Sequence, residues 1–365
     1  MKNSCEPCFQ EFFLIRNMRK EVDYIVVGFG LAGLSIVNRL EENGHKFVVY
    51  EDASQNSSNV AGGVYNPVVL KRFTPVWQGD EQITLAKPFY KKLEKRFGNI
   101  YDYTFQTNRV FKSIEEQNNW FAATDKPLLS KYMNTEIDKN DYNGLETPFG
   151  SGKLNHTGRI DVGSLLSDYK KHLVKNNLII FDSFNYEEIN FSTEFVEYGD
   201  YRAKKIIFCE GYGLHKNPFF NYLPMNEAKG ELITIHAPEL NVDFLVKAAV
   251  FVLPLGNNYY KVGATFNWKD KTSLPSDDGK QELVSKLETF VTVPYKIVSQ
   301  TAGIRPTVKD RRPLVGVHPE NHQLVVLNGL GTRGVMIAPK VSMELYNHLE
   351  NGKDLDVDSN INRFN

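Results

Sequence analysis

Residues 23–51 read DYIVVGFGLAGLSIVNRLEENGHKFVVYE, and the reading of this stretch decides the fold. An apolar run, Tyr24 to Val27, meets a turn carrying Gly28, Gly30 and Gly33. An amphipathic segment follows, with Leu34, Val37 and Leu40 on one helical face, and Gly44 falls at the C′ position that ends a helix. A second apolar run then ends on Glu51. Strand, glycine turn, helix and strand make a βαβ unit with G-x-G-x-x-G spacing. Gly28 permits the sharp turn, Gly30 the approach of backbone amides to a pyrophosphate, and Gly33 the close packing of helix on strand. Leu31 and Ala32 open the helix, whose positive end faces the phosphates. Glu51 stands where an acidic residue accepts from a ribose hydroxyl. The unit predicts an adenine dinucleotide and leaves FAD and NAD both open.

The rest of the composition sets bounds. A chain of 365 residues with 41% hydrophobic and 24% charged content is long enough for two cores. A formal charge of −1 offers no global field for a polyanion, so bulk nucleic-acid binding is not implied. The longest apolar stretch, Ile25 to Val37, falls short of the ~20 residues a membrane span needs, so a soluble protein is expected, and its sparse cysteines suit a reducing cytoplasm. Cys5, Cys8 and Cys209 are the only cysteines, which gives no disulfide framework. Cys5 and Cys8 form a C-x-x-C with no second pair to complete a zinc site, and no metal is expected. Residues 1–17 lack a continuous apolar core and cleavage site and read as an ill-ordered extension.

Along the chain, Ala61, Gly62 and Gly63 follow a polar loop and permit close approach of backbone to a ligand. Helical spacing of Ile83, Phe89, Leu93 and Phe97 is interrupted by Pro88. Residues 99–149 change character, with short alternating segments such as NRVFKS. Asp161 caps a helix bearing Leu165, Leu166, Tyr169 and Leu173, and the strands LIIFDSF and KKIIFCEGYG follow. Gly211 and Gly213 then lie beyond a strand's carboxyl end, where a doubly wound sheet binds ligands. VFVLPLG and YYKVGATFNW flank Asn257 and Asn258 as a hairpin, and GKQELVSKLETF reads as a helix. Near the end, GLGTRG leads into a helix from about Val335 to Leu349, a second place where a glycine turn meets a helix N-terminus. The fold class is α/β with an α+β second domain. A Rossmann-type domain (18–98, 150–225 and 295–365) is interleaved with a mainly antiparallel β-sheet substrate domain (99–149 and 226–294).

GFGLAG with Glu51, HTGRID, the VFVLPL and KVGATF strands, AGIRPTVKDRRPLVG and NGLGTRGVMIAP together resemble the D-amino-acid oxidase superfamily of FAD-dependent oxidoreductases. The order is similar to the glycine oxidase and sarcosine oxidase branch, and to the flavin domain of the bifunctional enzyme that finishes aminomethyl groups on wobble uridine of tRNA. The resemblance implies FAD. It places Gly331, Thr332, Arg333 and Gly334 against the isoalloxazine ring, with Val335 opening a helix whose positive end stabilises reduced flavin. It implies that Arg305 holds a substrate carboxylate, a task suited to a planar fork, with a surface or interdomain salt bridge to Asp310 or a glutamate as the structural alternative. Arg333 is the second arginine at the mouth of the site. Phe251 stands where relatives carry a tyrosine, so it shapes a pocket without hydrogen-bonding a carboxylate. Lys261 stands near the place of a lysine beside flavin N5 that promotes reaction with oxygen, or turns outward by strand alternation. No cysteine follows Cys209, so the flavin is expected to be non-covalent. The resemblance thus implies oxidation of a small-molecule primary or secondary amine, with oxygen or another acceptor. The alternatives are tRNA wobble-uridine modification, using Lys71, Arg72 and the Lys91 to Arg96 helix as a basic face, and a non-catalytic flavin-binding protein.

Overall fold

The computed structural model describes residues 19–364, and the expected Cys5–Cys8 pair and extension lie outside them. The quoted stretch folds as strand Lys20–Val27, helix Leu31–Glu42 and strand Phe47–Tyr50, the strands running parallel with Tyr24 opposite Phe47. All four residues of Phe47–Tyr50 are buried, because both faces of the sheet are covered; this is why the run is continuously apolar. Val26 and Val49 point into one core with Leu34, Val37, Tyr169 and Val341, while Ile25 and Val48 point into another with Ile206, Phe208 and Phe220.

Strand Tyr201–Phe208 lies parallel to Lys20–Val27 on the side away from Phe47–Tyr50, and Leu324–Asn328 pairs in parallel with its carboxyl half. Helices Val162–Lys175 and Gly334–Asn351 cover the same face as Leu31–Glu42. Asp161 accepts from Ser164 N at 3.2 Å, the cap expected from its position. Of LIIFDSF, only Ile179–Ile180 pairs as a strand. Pro88 does not interrupt its helix, which runs from Gly79 to Phe97. A proline removes one amide and one bond, whereas the burial of Phe89, Tyr90 and Leu93 holds the whole length.

The second sheet has the order Lys296–Arg305, Ala228–His236, Tyr259–Gly263, Phe251–Gly256, Leu245–Lys247, Thr107–Val110, Ser151–Leu154, Met133–Asp138. It is antiparallel except where Leu245–Lys247 runs parallel to Thr107–Val110. Asn257 and Asn258 turn the central hairpin with φ of 52° and 61°, the left-handed conformation a two-residue loop requires. Ser151–Leu154 and Lys296–Arg305 belong to this sheet, although the sequence assigns them to the nucleotide-binding part. Lys296–Arg305 pairs with Ala228–His236 from end to end, and that ladder outweighs the adjacency in sequence that suggested otherwise. Helix Asp277–Leu287, capped by Ser276, covers one face with Leu283 and Leu287. The other face looks toward the glycine turns. Among the described residues no helix is long and apolar enough to cross a membrane, and no cluster of His, Cys, Asp and Glu could hold a metal ion.

Candidate active site

A cavity of about 790 Å³ opens beyond the carboxyl ends of Lys20–Val27 and Tyr201–Phe208, and its far walls include Leu232, Phe251 and Arg305 of the second sheet. That is the size of a ligand pocket. At the near end Gly28, with φ of +91°, donates to Tyr50 O at 2.8 Å, and a Cβ there would stand 2.7 Å from Cys209 O. A side chain would be strained by the conformation and blocked by the neighbouring strand. Gly28, Gly30, Leu31, Ala32 and Glu51 all line the cavity. Gly33 does not; a Cβ on it would overlap Gly28 O, so its part is to let the helix sit against the turn. Glu51 accepts from Phe29 N at 2.6 Å and from Lys170 Nζ at 3.0 Å. Its carboxylate therefore braces the turn as well as facing the cavity.

Gly62, Gly63 and Gly211 also line the cavity, as does Gly213. Gly63 and Gly211 have φ of +66° and +57°. Ser58 Oγ accepts from Leu31 N at 3.2 Å, tying the loop after Glu51 to the start of the helix. Sequence reasoning missed this serine, whose only signal is its place in the polar NSSNV run. It also missed Glu210, a buried cavity residue that accepts from Tyr186 Oη at 2.5 Å and Asn217 Nδ2 at 2.8 Å. Burial raises the Glu210 carboxyl to about 7, with Asp52 adding to the rise and the two hydrogen bonds opposing it.

At the far end Gly331, Thr332, Gly334 and Val335 line the cavity. The first amides bonded within the carboxy-terminal helix are those of Met336 and Ile337, to Arg333 O, so the turn before them presents the helix's positive end. Val335 O would normally accept from residue 339, but that residue is Pro339 and has no N–H. Tyr90 Oη donates to Val335 O at 2.8 Å instead.

Arg305 lies in the cavity wall across Gly230, where a Cβ would overlap its guanidinium. Its Nη1 donates to Thr265 O at 3.2 Å and Lys229 O at 3.4 Å, and its fork stacks 4.2 Å from the Phe266 ring centroid. Burial lowers its pKa to about 10, and no carboxylate pairs with it among the described residues. Asp310, the alternative partner, is bonded by Arg363. Phe251 lines the cavity beside Gly62.

Two expected residues stand elsewhere. Arg333 flanks the carboxy-terminal helix with its side chain outside the cavity wall, its pKa lowered by burial and by Arg311. Lys261 pairs with Leu253, one alternation beyond Phe251, and lies among Arg159 and Asp161 outside the wall. Burial, then Arg159, lowers its pKa. The expected basic helix face is largely neutralised: Lys91 pairs with Glu94, Lys92 with Glu42 and Arg96 with Glu41.

The arrangement of two glycine turns, each opening a helix into one cavity between a parallel and an antiparallel sheet, defines a flavin-dependent oxidoreductase. The chain belongs to the FAD dependent oxidoreductase (DAO) family, which it matches over residues 23–346. It is 22% identical over 317 residues to the tRNA 5-methylaminomethyl-2-thiouridine biosynthesis bifunctional protein MnmC of Legionella pneumophila (strain Corby), covering 81% of this chain and 45% of that protein. It is 26% identical over 148 residues to glycine oxidase of Bacillus subtilis, covering 39% and 40%. The chain thus spans about half the length of the curated relatives it matches. The crystal structure of glycine oxidase from Geobacillus kaustophilus superposes with a TM-score of 0.76 at 18% identity, over 92% of this chain and 97% of that one.

The cofactor is FAD, and the cavity fits it. Gly28 and Gly63 line the cavity where a Cβ would strike neighbouring backbone, and a positive helix end stands at each extremity.

Proposed function

We propose that the protein oxidises a primary or secondary amine bearing a carboxylate, of the amino-acid or N-alkyl glycine type. The observation that carries this reading is Arg305: a half-buried guanidinium with no carboxylate partner among the described residues, facing the cavity. A buried charge of this kind is costly unless a ligand pairs with it, and its fork matches both oxygens of a carboxylate. Two backbone carbonyls and the Phe266 ring hold the fork in place, so little ordering remains when substrate binds. Phe251 and Leu232 supply an apolar surface that keeps water from the reacting carbon.

FAD bound in the cavity supplies an acceptor for a hydride from the carbon beside the neutral amine, and the imine released is hydrolysed by water. No acid or base need act on that carbon, because the hydride leaves with its electron pair. The amides that open the carboxy-terminal helix, near Gly334 and Val335, favour negative charge at that end.

Anaerobic titration of the holoenzyme with N-alkyl glycines and with D- and L-amino acids should bleach the flavin for at least one of them. If none does so, amine oxidation falls and a non-catalytic flavin protein takes its place. A second reading, oxidative removal of a carboxymethyl group from a wobble-uridine aminomethyl, is supported by the similarity to the tRNA-modifying proteins over 81% of the chain. Unchanged wobble nucleosides in cells lacking the protein would remove it.

A further inference from the structure

Beyond Phe251 the cavity changes character. Strand register places Arg109 opposite Lys247, and Lys247 opposite Phe251, in one row across the second sheet. Arg109, Lys247 and Lys286 all line the cavity. Arg109 is held in place: Nη1 donates to Ala248 O at 2.9 Å, and Nη2 pairs with Glu116 at 2.5 Å. Lys286 pairs with Glu282 at 2.5 Å on a half-exposed helix turn. The Lys247 ammonium has neither a hydrogen-bond partner nor an ion-pair partner among the described residues. Burial, and then the charges of Arg109 and Lys286, lower its pKa to about 8. An ammonium that lines the cavity without a partner carries a desolvation cost, and a bound anion would remove that cost.

We infer that Lys247, with Arg109 and Lys286, forms a distal subsite for an oxyanion, so that the substrate is a small amine with an anionic group at each end. This rests on the amine-oxidation reading above, in which Arg305 takes the first carboxylate. The second group is a carboxylate or a phosphate, the chemistry a compact ammonium and a planar fork both serve. Three strand spacings of about 4.8 Å separate the backbones of Lys247 and Leu232, and Gly230, under the Arg305 guanidinium, lies two residues further along the strand of Leu232. The long side chains at both ends shorten that gap, which suits a linear linker of several atoms.

The test uses the FAD-loaded full chain and non-oxidisable ligands, read by the change in flavin absorbance. A series of α,ω-dicarboxylates from succinate to suberate is compared with monocarboxylates of equal length, and ω-phosphonocarboxylates form a third arm. One chain length should bind at least about ten-fold more tightly as the dianion than as the monoanion. The arm that binds best assigns carboxylate or phosphate. In Lys247→Met that ratio should fall toward one, and Lys286→Gln should lower it in part, providing a second variant that alters only a half-exposed position. Equal binding of mono- and dianions at every length, or an unchanged ratio in both variants, overturns the subsite. The two proposals fail separately. A dianion preference without bleaching by any amine leaves the subsite and removes the oxidase; bleaching by simple N-alkyl glycines without a dianion preference does the reverse.

Discussion

Arg305 lies over a glycine, and that local arrangement makes its role testable. Gly230 leaves room for the guanidinium, and Thr265 O and Lys229 O fix it, so Arg305→Met should leave the backbone undisturbed and keep FAD bound. Losing one partner of a buried charged pair costs on the order of 3 kcal/mol, so kcat/KM for a carboxylate-bearing amine should fall by about 100-fold. Arg305→Lys should recover part of this, since it restores charge without the fork. Glu210 makes a different prediction. Its carboxyl, raised to about 7 from an ordinary 4.5, keeps its proton in the fold at pH values where the unfolded chain has lost it. Stability should therefore fall as pH rises from 4.5 to about 7 and level off above that, by up to about 3 kcal/mol. Urea titrations of the wild type and Glu210→Gln across that range check this: the wild type should lose stability relative to the variant as pH rises.

At the scale of elements, the carboxy-terminal helix carries a defect and its repair. Pro339 leaves Val335 O without a helical donor, and Tyr90, from the helix containing Pro88, fills the vacancy at the turn that lines the cavity. Tyr90→Phe should cost about 1–3 kcal/mol of stability, measured by urea unfolding, because a buried carbonyl loses its partner. It should also shift the flavin reduction potential, which depends on where that helix begins. A substitution that lowers stability while leaving the potential unchanged would detach Tyr90 from the site. The first glycine turn was legible in sequence because its parts, Gly28 to Glu51, lie within one βαβ unit and obey local rules of backbone and charge. The row Arg109, Lys247, Phe251 was not legible. The contact from Arg109 to Lys247 O spans 138 residues and depends on strand register, which no local spacing encodes. Lys261, opposite Leu253, lies on the same sheet face as Phe251 but two residues further along the hairpin, and that distance along the strand puts it beside Arg159 and Asp161.

At the scale of the molecule, the nucleotide-binding sheet with its two cores and the second sheet with its own helix-covered core both contribute walls to one cavity. Ser151–Leu154 and Lys296–Arg305 both belong to the second sheet. FAD held along the cavity would draw on residues of both parts, so its binding should add to the stability of the whole. At a free FAD concentration of about 1,000 times Kd, the gain should be about 4 kcal/mol. Attachment should be non-covalent. Among the described residues the cavity has no histidine in its walls and only Cys209 among cysteines. Cys209 stands at the Gly28 end, against the packing of Gly33, whereas Phe251, Gly331 and Thr332 surround the other end. Its thiol is raised well above the ordinary range by burial and by Glu210, which suppresses the thiolate a covalent link would need. Acid precipitation of the holoenzyme should therefore leave all the yellow flavin in the supernatant. Dialysis against high salt should yield a colourless protein whose unfolding midpoint rises again when FAD is returned. Flavin that remained in the acid pellet would mean a covalent link and would overturn the non-covalent assignment.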